Sequence, residues 1–204
     1  MEQLLRREIV YARLVLQALL AERVRMHTID DIIALPEGVR AELLDGEMFM
    51  MASPTLRHQK TLGWLYFTIF SHIRERKGKC EVALAPFAVF LKNDRWNYVE
   101  PDVTVICNKD KLDDKGCHGA PEWAIEVVSP SSTVMDYRRK LEAYRSAGVR
   151  EYWIVDPAKE TVTVYDFRNG GEEPGHYCFS DTIRSGILEE LELDFRELKE
   201  YIDL

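Results

Sequence analysis

The chain has 204 residues, of which 46% are hydrophobic and 30% are charged, and its formal net charge is −8. This length and composition predict one soluble domain with additions, and no apolar stretch is long enough to span a bilayer. The acidic balance argues against a general electrostatic affinity for nucleic acid, but it is compatible with a local basic groove.

The first residues and the cysteines indicate the compartment. Charged residues interrupt the first twenty positions too often for a signal peptide, so we expect a cytoplasmic protein without a membrane segment. The four cysteines lie far apart and form no CxxC pair: Cys80, Cys107, Cys117 and Cys178. The sequence therefore predicts neither a zinc cage nor a disulfide framework.

Residues 1–27 are predicted to form an amphipathic helix. Apolar residues alternate at four- and three-residue spacing, namely Leu5, Ile9, Ala12, Leu16 and Leu19. This stripe is short but similar to a coiled coil. We expect the helix either to pack on its own domain or to form a dimer, and the sequence does not decide between the two.

The next segment predicts a short helix, a hairpin and a long helix. Thr28 is expected to cap a helix over residues 29–34, and the Asp45-Gly46 pair predicts a tight hairpin turn. Ser53 with Pro54 is expected to open a helix that continues to about Lys77. Four residues form its predicted buried face: Leu62, Leu65, Ile69 and Ile73. His58 lies near its entrance, where a partly buried structural histidine is favoured over a ligand or a base.

Strands are predicted over residues 80–91 and 98–107, followed by a polar loop over residues 109–120. Asp102 lies at the start of the β-prone run 103–106. After residue 150 we expect a hairpin of residues 151–157 and 161–165, an edge strand near residues 177–182 and a helix close to the C-terminus.

Residues 121–148 carry the strongest indication of function. Residues 123–128 read as a buried strand that contains one carboxylate, Glu126, whose burial requires a metal, a lysine or a proton as compensation. A helix is predicted from about Val134 to Ala147, closed by Gly148. Lys140 lies beside its buried stripe, so its ammonium is expected to return toward Glu126.

Three acids, Glu42, Asp102 and Glu126, each lie in or beside a β segment among apolar residues. If the strands are neighbours, Asp102 and Glu126 can supply oxygens to Mg²⁺ or Mn²⁺, which keeps several waters. Such a metal with Lys140 would suit hydrolysis of a phosphodiester. The alternative is that each acid forms a structural ion pair.

An ordered series of motifs resembles the Uma2 family of bacterial proteins, within the PD-(D/E)XK restriction-endonuclease-like superfamily. The series contains the segments 42–47, 58–59, 101–102, 126–132 and 152–157, together with Asp136, Lys140, Tyr144 and Gly148. The resemblance implies a mixed α/β (α+β) fold whose restriction-endonuclease-like core, a central mixed β-sheet flanked by helices, covers residues 28–204. Residues 1–27 would be an added N-terminal helix.

The resemblance also implies a metal-dependent nuclease centre. Asp102 would be the first acid and Glu126 the second, and both would bind the metal together with the backbone carbonyl of Val127. Glu42 would be the catalytic acid from the earlier segment. The position two residues after the second acid, where the superfamily places its lysine, is Val128.

The resemblance suggests that Lys140, arriving from the next helix, replaces that lysine. Lys60 is a weaker candidate for the same role, and His58 and Tyr144 are candidate accessory residues. A displaced lysine is physically reasonable because only the position of its ammonium matters.

The main functional hypothesis is a Mg²⁺-dependent (or Mn²⁺-dependent) endonuclease that hydrolyses DNA. Its partners would be DNA and a second copy of the chain, because a nuclease that reads two strands is often a twofold dimer. Basic residues that would contact DNA are Arg57, Lys60, Arg138 and Arg139. Two alternatives stay open: a catalytically silent binding or assembly module with a nuclease fold, and a metal-dependent hydrolase of another phosphate ester.

Overall fold

The computed structural model of the protein describes residues 26–129, 132–133, 135–170 and 173–204. All but the last two residues of the predicted N-terminal helix lie outside these ranges. No helix within them is long and apolar enough to cross a membrane.

The elements follow one another along the described chain as helices α1 to α4 and strands β1 to β13. In order they are α1 (Ile29–Ile33), β1 (Ala41–Leu44), β2 (Glu47–Met50), α2 (Leu56–Glu75), β3 (Glu81–Leu84), β4 (Val89–Phe90), β5 (Val103–Ile106), β6 (Leu112–Asp113), β7 (Gly116–His118), β8 (Trp123–Val127), a π helix (Met135–Lys140), α3 (Leu141–Ala147), β9 (Glu151–Asp156), β10 (Thr161–Asp166), β11 (Gly175–Cys178), β12 (Thr182–Arg184), β13 (Glu192–Asp194) and α4 (Phe195–Asp203). Short 3-10 helices occupy Lys109–Lys111 and Phe167–Asn169.

A six-stranded mixed sheet lies at the centre, in the order β11-β10-β9-β8-β5-β3. Strands β8 and β9 are parallel, and the π helix and α3 lie between them in the chain. The other neighbours are antiparallel. Because β5 and β8 are antiparallel, the start of β5 lies beside the end of β8, and this brings Asp102 next to the last residues of β8.

Helices α2 and α4 cover one face of the sheet. Their buried residues pack with Trp123, Ile125 and Trp153 in one core cluster. The predicted buried face of α2 is confirmed at all four positions, and α4 buries Phe195, Leu198 and Ile202 as expected.

The opposite face of the sheet packs against α3 and the β1–β2 hairpin. Alternation along β8 directs Ala124 and Val128 into a second core cluster with Tyr144 and Tyr152. Glu126 lies between Ala124 and Val128 on the same face, so it enters the layer that contains the π helix and α3.

The β1–β2 hairpin places Glu42. Asp45 and Gly46 both have positive φ, 48° and 81°, as a tight hairpin turn requires, so this prediction is confirmed. Leu43 forms an antiparallel bridge with Tyr98, which fixes the neighbouring Glu42 beside the segment that leads into β5.

The predicted boundaries of several elements were wrong, and two of these differences bear on the site and the sheet. Thr55, rather than Ser53, caps α2, and its side chain accepts a hydrogen bond from the His58 N–H at 3.2 Å. The strand expected over residues 80–91 is divided into β3 and β4, which join different sheets. Pro86 lies in the break and has no N–H to donate to a ladder.

The expectation of no disulfide was wrong for one pair. Cys80 and Cys107 form a disulfide between β3 and β5, because the register that pairs Glu81 with Ile106 places the two cysteines opposite each other. Cys117 and Cys178 are free thiols. The polar segment 109–120 also contains β6 and β7, which form a small three-stranded sheet with β4.

Candidate active site

The candidate site lies where the start of β5, the end of β8, α2 and the π helix meet. Asp102 immediately precedes β5, and its Oδ2 accepts a hydrogen bond of 2.8 Å from the Val127 N–H. This bond joins the two strands at the position where regular pairing ends. It holds the Asp102 carboxylate beside the backbone of β8.

Lys140 bridges two of the predicted acids. Its Nζ lies 2.9 Å from Glu126 Oε1 and 2.9 Å from Glu42 Oε2, and all three side chains are buried. The Tyr144 hydroxyl donates a second hydrogen bond of 2.6 Å to Glu126 Oε1. The sequence-based expectation that the Lys140 ammonium returns to Glu126 is therefore confirmed.

The segment that delivers Lys140 differs from the expected regular helix. Residues Met135–Lys140 form a π helix, and the α helix proper begins at Leu141. π-Helical turns are rare and are frequent at functional sites. Gly148 closes α3 with φ +92°, which confirms the predicted C-terminus.

Glu42 is held from two sides. Its Oε1 accepts a hydrogen bond of 2.9 Å from the Glu100 backbone N–H, while Oε2 contacts the Lys140 ammonium. The carboxylate therefore joins the β1–β2 hairpin to the π helix, so its position depends on both elements.

Asp136 is a further member of the cluster that sequence reasoning did not assign to the site. Its Oδ1 lies 4.0 Å from Lys140 Nζ, and its Oδ2 accepts a hydrogen bond of 2.6 Å from the Ser132 hydroxyl. The Tyr152 hydroxyl donates to the Asp136 backbone carbonyl at 3.0 Å. The four-residue spacing between Asp136 and Lys140, which places both side chains on one helix face, was the available signal.

His58 reaches the cluster from the first turn of α2. Its Nε2 lies 3.2 Å from Asp102 Oδ2, and the backbone of Val127 is a second hydrogen-bonding group beside the imidazole. Nδ1 is buried and has no hydrogen-bond partner among the described residues. Burial by itself would lower the pKa of His58, but the Asp102 carboxylate outweighs it and holds this pKa above its usual value.

Carboxylates outnumber bases in this cluster, with Glu42, Asp102, Glu126 and Asp136 facing one ammonium and one imidazole. Burial raises the pKa of Glu126 well above its usual value, although Lys140 opposes the shift. Burial likewise raises the pKa of Asp136 to about 6. Burial disfavours the charged form of Lys140, but the surrounding carboxylates raise its pKa, so the ammonium stays charged. This crowding of carboxyl groups, whose ionisation burial opposes, is of the kind that a bound divalent cation relieves.

Comparison with known proteins places the chain in a family. Residues 29–197 match the sequence profile of Uma2, which is described as "Putative restriction endonuclease". The chain belongs to the Uma2 family. An uncharacterized protein of Synechocystis sp. (strain ATCC 27184 / PCC 6803 / Kazusa) is 24% identical over 132 residues, covering 64% of this chain and 68% of that protein.

A solved structure shares the fold. The crystal structure described as "a putative nuclease belonging to DUF820", from Anabaena variabilis ATCC 29413, superposes with a TM-score of 0.71 at 20% sequence identity. The match covers 86% of this chain and 98% of that one. The predicted α/β fold, with a central mixed sheet between helices, is thereby confirmed for this Uma2 protein.

The structure does not bring Lys60 to the cluster of this Uma2 protein. The Lys60 ammonium donates to the Tyr201 carbonyl at 3.1 Å and lies 5.2 Å from the centre of the Tyr201 ring. Arg57 pairs with Asp203 and Arg139 pairs with Glu47, both on the exposed surface.

The oxygens available in this cluster suit a metal ion that retains several water ligands, rather than one whose ligands all come from the protein. Within the described ranges, no three His, Cys, Asp or Glu side chains are already arranged as a metal site. Glu126 Oε1 and Asp102 Oδ2 are the oxygens held by the contacts above, which leaves Glu126 Oε2 and Asp102 Oδ1 outside those contacts. Two carboxylate oxygens and one carbonyl, completed by water, match the ordinary coordination of Mg²⁺.

Proposed function

We propose that this Uma2 protein is a Mg²⁺-dependent endonuclease, also served by Mn²⁺, that hydrolyses phosphodiester bonds in DNA. One observation carries the proposal: Glu42, Asp102 and Glu126, which are far apart in sequence, converge with Lys140 at the adjoining ends of β5 and β8. Membership of a family described as "Putative restriction endonuclease" supports the same reaction class.

The residues proposed to hold the metal are Asp102, Glu126 and the backbone carbonyl of Val127. A divalent cation held there would supply a water of lowered pKa and would neutralise charge that develops on the phosphoryl oxygens. The hydrogen bonds from Lys140 and Tyr144 to one oxygen of Glu126 fix the orientation of the other. The Val127 N–H does the same for Asp102.

Lys140 is proposed to supply the positive charge beside the scissile phosphate. A lysine on strand β8 is not required, because the π helix brings the Lys140 ammonium to Glu126 from above the sheet. Glu126 and Glu42 both contact the ammonium at 2.9 Å and together keep it charged against the effect of burial. Preorganised charge in a site with little water stabilises a transition state without further rearrangement.

His58 is proposed as an accessory residue that orients Asp102. Its imidazole contacts the same oxygen that accepts the Val127 N–H, so it restricts rotation of the carboxylate. Tyr144 has the corresponding accessory role at Glu126. We leave Lys60 out of the proposed centre because its ammonium is bonded at Tyr201.

DNA is proposed to approach along the basic residues that surround the cluster. Arg138 and Arg139 have exposed side chains directly before Lys140, and Arg57 directly precedes His58. These cations would contact phosphates, which attract clustered arginine irrespective of the net charge of the whole chain.

A second candidate is a silent binding module with the same fold. The observation in its favour is that Lys140 already contacts Glu126 and Glu42, so part of the charge is compensated within the protein. Under this alternative the cluster is a structural ion network, and the protein would bind its partner without cleaving it.

The deciding experiment measures cleavage of supercoiled plasmid DNA with Mg²⁺, with Mn²⁺ and with a chelator. We compare the wild type with Glu126→Gln, which keeps an oxygen to accept from Lys140 and Tyr144 but removes the metal-binding charge. Glu142→Gln, an exposed change in the adjacent helix, is the matched control.

Metal-dependent nicking that is lost in Glu126→Gln and retained in Glu142→Gln is the expected result. Equal cleavage by wild type and Glu126→Gln would refute the proposed centre. A folded wild type that binds DNA without any cleavage would favour the silent module, whereas metal-dependent hydrolysis of small phosphodiesters alone would indicate another phosphate ester as substrate.

A further inference from the structure

The outward face of α2 carries an apolar stripe that nothing in the described chain covers. Leu56 is 75% exposed, Phe67 is 68% exposed and Phe70 is 41% exposed. Tyr66 stacks on Phe70 with ring centres 5.5 Å apart. This stripe lies opposite the buried face of α2, so packing in the core formed by the described residues does not account for it.

The stripe has the spacing of a helix–helix seam. Its positions alternate at four and three residues: Leu56, Lys60, Gly63, Phe67, Phe70 and Arg74. Gly63 lies near the middle, and a Cβ placed on it would meet no atom within 4 Å. A glycine inside a helix makes the helix less stable than an alanine would, but it leaves room for another surface to approach the helix backbone closely.

We propose that this face binds the same face of a second copy of the chain, with the two α2 helices antiparallel. The positions of the stripe are symmetric about residue 65. A twofold axis at that level therefore places Phe67 of each copy over Gly63 of the other copy. An isologous interface requires this reciprocity. The interface then contains two equivalent contacts, in each of which a Phe67 ring fills the space above Gly63 of the other copy.

Charge favours the antiparallel arrangement over the parallel one. In the antiparallel pair Lys60 faces Phe70 of the second copy, and Arg74 faces Leu56 of the second copy. A parallel pair would set Lys60 against Lys60 and Arg74 against Arg74, while Phe67 met Phe67 and the two glycines left a gap. The stripe contains no carboxylate to relieve that repulsion.

The available area fits a dimer of modest affinity. A helix of 20 residues is about 30 Å long and, with its side chains, about 10–12 Å wide. One face of α2 therefore buries less area than the roughly 800 Å² that each partner contributes to a standard interface. The edge of α4 extends it, because Tyr201 is 44% exposed and lies beside Lys60. We therefore expect a dissociation constant of the dimer in the micromolar range.

This surface is separate from the candidate active site. His58 contacts Asp102 from the first turn of α2, so the antiparallel pairing places the two candidate sites at opposite ends of the interface. Dimerisation does not depend on catalysis, and a silent module would form the same dimer.

The test is the molar mass of the full chain, measured by analytical ultracentrifugation across the micromolar range. Phe67→Asp should abolish the dimer. Ile33→Asp, a matched change of another exposed apolar residue (74% exposed), should leave it unchanged. Gly63→Leu fills the proposed hollow and should weaken dimerisation by roughly tenfold or more, although it adds apolar surface.

Each result decides the proposal. A wild-type dimer that Phe67→Asp dissociates and Gly63→Leu weakens supports the antiparallel seam. A wild type that stays monomeric over the whole range overturns it, as does a dimer that survives Phe67→Asp. Stronger association of Gly63→Leu would also overturn it, because that is the response of non-specific apolar adhesion.

Discussion

Replacing Lys140 by methionine tests the electrostatic account of the buried cluster. Methionine keeps an apolar stem of similar length but removes the ammonium that lies 2.9 Å from Glu126, 2.9 Å from Glu42 and 4.0 Å from Asp136. Removing one partner of a buried ion pair costs about 3–5 kcal/mol. Domains of this kind unfold with about 5–15 kcal/mol in total, so the loss should be large.

The assay is urea unfolding followed by tryptophan fluorescence, in chelator, for the wild type and Lys140→Met. Arg139→Met is the matched control, because the Arg139 side chain is 57% exposed and makes its contacts with Glu47 and the Phe49 ring at the surface. We expect the control to change the free energy of unfolding by about 1 kcal/mol or less.

The double variant Lys140→Met/Glu126→Gln sharpens this test. Removing the Glu126 charge takes away one of the carboxylates that Lys140→Met leaves uncompensated, so the double variant should be more stable than the single one. If Lys140→Met lowers the free energy of unfolding no more than Arg139→Met does, the buried ammonium does not compensate the carboxylates. Independent, additive losses in the double variant would lead to the same conclusion.

Two further predictions concern residues outside the cluster. Burial raises the pKa of Glu151 from 4.5 to about 7, so the folded state retains a proton that the unfolded state releases. The unfolding free energy of the wild type relative to Glu151→Gln should therefore fall by up to about 3 kcal/mol between these two pH values, and a constant difference in urea titrations would contradict this. Gly116→Ala should destabilise by about 2 kcal/mol or more, because a Cβ would lie 2.3 Å from the Ala88 carbonyl oxygen. Gly119→Ala, also at positive φ but with no atom within 4 Å, is the control in thermal unfolding, and equal losses would refute the steric argument.

Local patterns predicted the elements that depend on neighbouring residues. The Asp45-Gly46 turn, the buried face of α2 and the end of α3 at Gly148 follow from turn chemistry, helical periodicity and capping, which act over a few residues. The approach of Lys140 to Glu126 was also predictable, because a strand followed directly by a returning helix confines the two side chains to one region.

Features set by distant parts of the chain were not predictable from the same patterns. The disulfide between Cys80 and Cys107 depends on the register of two strands, which spacing in the sequence does not reveal. The division of residues 80–91 between two sheets depends on the partners that each half finds.

The π helix and the place of Asp136 were missed for a related reason. Composition does not distinguish a π turn from an α turn, and it does not reveal the distant hydrogen bond by which Tyr152 reaches the Asp136 backbone carbonyl inside the π helix. Asp136 reads as a surface acid at the start of a helix until its burial beside Lys140 is known. Local propensity is overridden where tertiary contacts are strongest.

The most direct measurement is calorimetric titration of Mn²⁺ into the wild type and into Asp102→Asn/Glu126→Gln, with and without non-cleavable DNA. We expect saturable binding to the wild type that the double variant loses, because the two carboxylates supply the proposed ligands. Equal binding by both proteins, or no binding to the wild type even with DNA present, would contradict a metal centre at the junction of β5 and β8.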